Sequence, residues 1–299
     1  MAGGLFTEDE APVSPSGGGI RNFKSIRHPL WTESKARLIQ EYLKLFTMIT
    51  KHGTYIDGFA APQEADHESM WSAKLVLENQ PQWMRDFWLC DMSVPGLTRL
   101  RELAAVHSHK PRRVTVLGGD FNESVKTILD SGTITPKKAT FALLDQRTFE
   151  CFWATVEALA RHKKEMKIEQ FYFLATGWID RSIAATKLPA SQDKIERWWG
   201  KNDWRDLRGI GGTERAMLVT ERFKSELGYE YAFPFAIHSK KQGGRVMYHM
   251  IHASDHPEAA LLMIRAYRKV SGRSELPAGD TQGSLESLWA ELEAAEGAV

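Results

Sequence analysis

The sequence predicts an α/β protein with a seven-stranded mixed sheet: parallel strands first, then a C-terminal antiparallel hairpin. Three observations lead there. Four short apolar runs each end in an aspartate: Tyr55-Ile56-Asp57, Phe87-Trp88-Leu89-Cys90-Asp91, Val114 to Asp120, and Phe141-Ala142-Leu143-Leu144-Asp145. These runs alternate with segments of helical periodicity at short intervals, as right-handed crossovers with helices on both faces require. Two late strand-like runs, Tyr229 to Ile237 and Arg245 to His252, are joined by Ser239-Lys240-Lys241-Gln242-Gly243-Gly244, a hairpin signal.

Residues 1–30 are rich in Gly, Pro, Ser and acids and read as a flexible N-terminal arm with a basic end, Arg21 to His28. The folded unit is expected over 31–270. Trp31 to Thr47 repeats Leu38, Ile39, Tyr42, Leu43 and Phe46 at helical spacing. A strand follows at 54–57, a polar irregular loop at 63–70, and a helix over 71–79. Strands at 86–90, 113–117, 139–144 and 168–174 are separated by helices over 94–107, 122–130 and 150–163. The pattern then changes. Residues 176–227 read as a helical insertion after the fifth strand, ending in the helix Arg215 to Leu227 that Gly228 stops. His256 to Lys269 is the last long helix, and 271–299 form a linker and an acidic, amphipathic tail.

Composition narrows the class. The 299 residues are 42% hydrophobic with a formal net charge of +1, so charge argues neither for nor against nucleic acid. Two cysteines, Cys90 and Cys151, exclude a disulfide scaffold or a multi-cysteine cluster within this chain and fit a reducing cytosol. No leader and no apolar run near the ~20 residues of a membrane span is seen, so a cytoplasmic protein without membrane contact is expected.

Five parallel strands followed by an antiparallel hairpin is the order of the Rossmann-like class I methyltransferase fold. There, S-adenosylmethionine is bound by roles tied to strand position. Small residues after strand one let the backbone approach the methionine moiety, and an acid ending strand two accepts from the ribose hydroxyls. An acid or amide after strand three reads the adenine amino group, and the group after strand four faces methyl and acceptor. In order, those positions are Asp57 with Phe59 and Ala60; Asp91; Asp120, Phe121 and Asn122; and Asp145. A single strand-terminal Asp is commonly a helix cap or turn former. Four in series, spaced by 34, 29 and 25 residues, match one βα unit per acid.

The residues also carry a resemblance. Trp31 to Phe46 with Lys35, Tyr55 to Ala60, Gly119-Asp120-Phe121-Asn122, Leu143 to Cys151, Thr176-Gly177-Trp178, Trp198-Trp199-Gly200 and Tyr248 to Pro257 resemble the three-Cys-motif partner (TcmP) family over about residues 31–270. The resemblance implies a methyltransferase-type Rossmann domain that works with an encoded radical-SAM-type protein carrying a three-cysteine motif. Two departures stand out. Most members have Phe-Ala-Gly-Pro-Gly after strand one; here Ala61 and Gln63 replace both glycines, narrowing the cofactor space. Many have Asp-Pro-Phe-Gly after strand four; here it is Asp145-Gln146-Arg147-Thr148-Phe149. Asp145 and Gln146 are expected to accept from an amino group, Phe149 to stack, and Arg147 to hold a phosphate. The plainer alternative pairs Arg147 with Asp145 or Glu150 to close the loop.

The expected function is therefore S-adenosylmethionine-dependent methyl transfer, with nucleic acid as acceptor and the radical-SAM-type protein as partner. One alternative is a catalytically inactive, methyltransferase-like binding subunit for that partner. Another is a Mg²⁺-dependent nuclease on the acidic edge, ranked last because the four acids are spread too widely along the sheet. No metal ligands are assigned. His249 and His252 have opposite parity on one strand and should face opposite sides.

Overall fold

The computed structural model describes residues 30–62, 67–176, 179–239 and 244–272. The N-terminal arm and the acidic tail thus lie almost wholly outside the described residues, as do Gln63 and Trp178.

The parallel strands form where expected: β1 (Thr54–Asp57), β2 (Asp86–Asp91), β3 (Arg113–Gly118), β4 (Thr140–Leu144) and β5 (Glu169–Leu174). The hairpin strands β6 (Tyr231–His238) and β7 (Val246–Ser254) complete a seven-stranded sheet in the order β3-β2-β1-β4-β5-β7-β6. β1 pairs in parallel with both β2 and β4, and β7 runs antiparallel between β5 and β6. The strand order reverses at β1, so a crevice is expected beyond the carboxyl ends of β1 and β4.

Helices cover both faces. α1 (Leu30–Thr50), α2 (Ser72–Leu77), α3 (Val94–His107) and α9 (Pro257–Ser271) bury Leu38, Val76, Leu100 and Met263 against one side. α4 (Phe121–Leu129), α5 (Trp153–Arg161), α6 (Ile179–Ala185), α7 (Pro189–Trp199) and α8 (Gly212–Ser225) bury Ile128, Val156, Ile183, Trp198 and Phe223 against the other. The helical insertion is thus part of the roof of the second face. Its described tryptophans are core: Trp198, Trp199 and Trp204 are all buried, and the Arg222 guanidinium lies 3.8 Å and 4.0 Å from the rings of Trp153 and Trp199.

Local chemistry fixes the ends. Ser93 caps α3 and Asp120 caps α4 through their side-chain oxygens. Gly200, at φ +79°, closes α7, and a Cβ there would also meet Trp153 at 2.7 Å. One boundary differs from expectation. α5 starts at Trp153 instead of 150, because Glu150, Cys151 and Phe152 are held in a loop by side chains from elsewhere. Among the described residues, no helix is long and apolar enough to cross a membrane.

Candidate functional site

The carboxyl edge of the sheet gathers the acids, and each is placed by its own strand. Asp57, the last residue of β1, is 1% exposed. It accepts from the Tyr55 hydroxyl at 2.9 Å and from the Phe59 amide at 3.1 Å. Burial pushes its carboxyl up to about 7 against those two hydrogen bonds, and the neighbouring Asp145 and Asp91 push the same way. Asp91, ending β2, accepts from the Ala61 amide at 3.0 Å and the Ser93 amide at 2.8 Å. Asp120 accepts from the Asn122 backbone and side-chain amides at 2.9 and 2.7 Å.

Asp145, just past β4, is the acid whose partner sequence reading did not supply. Lys35, on α1, reaches both of its oxygens, at 2.8 and 2.6 Å, and the two side chains are 5% and 11% exposed. The same Nζ lies 5.6 Å from the Phe173 ring centroid and 5.8 Å from that of Tyr248. No local signal could link residues 110 apart; Lys35 is visible beforehand only as one residue of the family resemblance.

The loop after β1 is tightly laid down. Gly58 N donates to Leu143 O, Ala60 N to Cys90 O, and the Trp71 indole to Ala60 O. A Cβ at Gly96 would fall 2.4 Å from the Ala61 methyl, so Ala61 fills space against α3. Phe121 is buried, 5.9 Å from the Phe59 ring and directly over Gly58. Phe59 stays half-buried and Ala60 buried. The remaining cleft, bordered by Lys35, Asp57, Phe59, Ala61, Trp71 and Asp145, holds about 20 Å³, room for a single water. A larger, mostly apolar hollow of about 190 Å³ lies at the opposite edge, beside Tyr42, Phe46, Lys163 and Leu262.

Several expected roles are not the geometry found. Gln146 is buried: its amide donates to Phe173 O and its oxygen accepts from Cys151 N, so it faces the protein and not a ligand. Phe149 is also buried, edge-on to Trp198 at 4.7 Å, and stacks on nothing outside. Asn122 spends its side chain on Asp120, Glu150 O, Phe152 N and Thr155, clamping the β4–α5 loop. Arg147 is exposed and pairs with neither Asp145 nor Glu150. Short loops turned these side chains inward, and residue type alone does not carry that direction. The opposite-parity expectation holds: His249 meets Thr176 at 3.1 Å on one side, and His252 packs against Tyr42 and Phe171 on the other. Burial lowers His249 to about 4, keeping it neutral. Among the described residues, no three metal-ligating side chains converge.

The fold and this edge define a methyltransferase-like Rossmann domain: the strand order and the antiparallel β7 are those of the class I arrangement. No family model matches the chain, and no curated protein does. Among solved structures it is similar to that of a candidate methyltransferase from Thermobifida fusca YX, at 16% identity, with 74% of this chain and 79% of that chain covered and a TM-score of 0.40. At that score the likeness adds nothing to what the strand order already says.

Proposed function

We propose that the chain binds S-adenosylmethionine over the carboxyl ends of β1, β2 and β3 and directs methyl transfer to a nitrogen held at Asp145. What supports this reading is the convergence of Asp57, Asp91 and Asp145 on the crevice where the strand order reverses. The donor set fits the cofactor in part. Each Asp91 oxygen takes one backbone N–H and keeps a lone pair for a ribose hydroxyl. Gly119, at φ +125°, has open space where a Cβ would stand, beside Asp120. Phe59 and Ala60 would flank the methionine moiety.

The cofactor, when bound, supplies an activated methyl group on sulfur. The chain's own contribution is positioning. Asp145 would orient the acceptor nitrogen, offset the positive charge that builds on it as its lone pair bonds to the methyl carbon and the S–C bond breaks, and take the proton that the methylated nitrogen then gives up. Asp57, half-protonated near neutral pH, limits the negative charge beside it. A nucleobase acceptor finds little support, since Gln146 and Phe149 are turned inward; the exposed Arg147 remains as a phosphate contact. The radical-SAM-type partner rests on the resemblance alone.

The narrow cleft favours a second reading, a methyltransferase-like subunit that binds a partner without the cofactor. Calorimetric titration of the full chain with S-adenosylmethionine and with its demethylated product separates the two. Saturable heat is expected. Silence at millimolar ligand with folded protein would sink the first reading, and co-purification with the partner would then establish the second.

A further inference from the structure

We propose that the carboxyl-edge crevice takes an alkylammonium, a primary amine on an aliphatic chain, and that Lys35 fills this place until such an amine replaces it. As methyl acceptor the ammonium would first pass a proton to the Asp145 carboxylate, freeing the nitrogen lone pair; that role rests on the reading above, and the binding itself does not.

The surroundings of the Lys35 Nζ specify the chemistry. One side is the Asp145 carboxylate, with both oxygens within 2.8 Å. Two others are the rings of Phe173 and Tyr248, contributed by β5 and β7 at cation–π distance. A carboxylate and two ring faces around one point suit a tetrahedral ammonium. A planar base amino group would instead need an in-plane acceptor pair and a stacking ring, and the residues able to supply them, Gln146 and Phe149, are committed to Cys151, Phe173 and Trp198.

Position separates this pair from an ordinary structural bridge. It stands at the reversal point, beside Asp57 and the β1 loop, where the fold directs ligands. The cleft next to Lys35 holds about one water, and both Asp145 oxygens are taken by the lysine, so an ammonium binds Asp145 by replacing it. An incoming ammonium replaces it charge for charge. Asp145, its side chain only 11% exposed, therefore never stands without a cation, which would be unfavourable.

The test uses the full chain carrying Lys35→Ala, which empties the place of its ammonium, titrated with n-butylammonium chloride in thermal unfolding. The expected result is a saturable rise of about 2–4 °C, as a roughly fivefold excess over the dissociation constant yields. Butan-1-ol should give none, nor should butylammonium with Lys35→Ala/Asp145→Asn. An equal rise with butanol, a rise that survives in the double variant, or no rise overturns the proposal. If Lys35→Ala does not fold, Lys35→Gln, which keeps most of the stem, is read the same way with methylammonium. Calorimetry with S-adenosylmethionine on the same samples keeps the two ideas apart. Amine binding without cofactor binding removes the methyltransferase reading and leaves the ammonium site. Cofactor binding without an amine response removes the ammonium site alone.

Discussion

The two edges of the sheet solve the same problem differently. At the amino edge, Asp86 opens β2 and is met by two cations, Lys138 and Arg113, whose side chains are 21% and 67% exposed. At the carboxyl edge, Asp91 and Asp145 both act electrostatically on Asp57, and a buried lysine from α1 pairs with Asp145. The amino edge is balanced with cations that solvent can also stabilise. The carboxyl edge keeps surplus negative charge, partly out of water, at the place where the strand order reverses. Acids with perturbed environments cluster at functional sites, and that asymmetry is what the proposed function draws on.

The comparison can be broken most forcefully at Lys35. Lys35→Met leaves the largely buried Asp145 without its cation and should cost about 2–4 kcal/mol in denaturant unfolding. Adding Asp145→Leu should return most of the loss. A single-variant cost below about 1 kcal/mol would put this pair on a level with an exposed one. Asp57 comes next. Its carboxyl is raised to about 7, so the native state holds the proton more tightly than the unfolded chain. The stability it contributes is greatest in acid and falls as pH climbs from about 4 to about 7. The stability of the wild type relative to Asp57→Asn should therefore drop by about 2–4 kcal/mol over that window. A flat difference would show that the acid is not held neutral.

Smaller effects sharpen the picture. Asp91→Ala strands the Ala61 and Ser93 amides and should cost about 1.5–3 kcal/mol, with loss of any cofactor heat in the same preparation. At the opposite edge, Arg113→Ala should cost no more than about 1 kcal/mol and respond to salt, since its guanidinium is largely exposed. If Arg113 proved as costly as Lys35, the contrast between the edges would fail.

The strand plan was readable because it is local: an apolar run, then an acid, repeated four times, then a hairpin. Parity placed His249 and His252 on opposite faces for the same reason. The site was legible only in its acids. That Asp145 meets Lys35 depends on how α1 crosses the sheet, which is a tertiary fact. Gln146, Phe149 and Asn122 have side chains suited to recognition and use them on their own backbone. The loop decides that, and its path comes from long-range bonds such as Asn122 to Phe152 N. Ala61 was expected to narrow the cofactor space; its methyl lies against Gly96 of α3, a contact that again depends on tertiary packing.

Helix α1 is fastened to the sheet twice along one side. Lys35 grips Asp145, and seven residues on, Tyr42 donates to Glu169 at the start of β5. Two full turns separate the anchors, about 10 Å along the axis. With both in place, rolling of the rod about its axis is opposed at two heights. With the upper one released, the Tyr42 anchor and the buried Ala36, Leu38 and Ile39 still hold the rod, so unseating Lys35 removes one of its two polar links to the sheet and leaves the apolar packing in place.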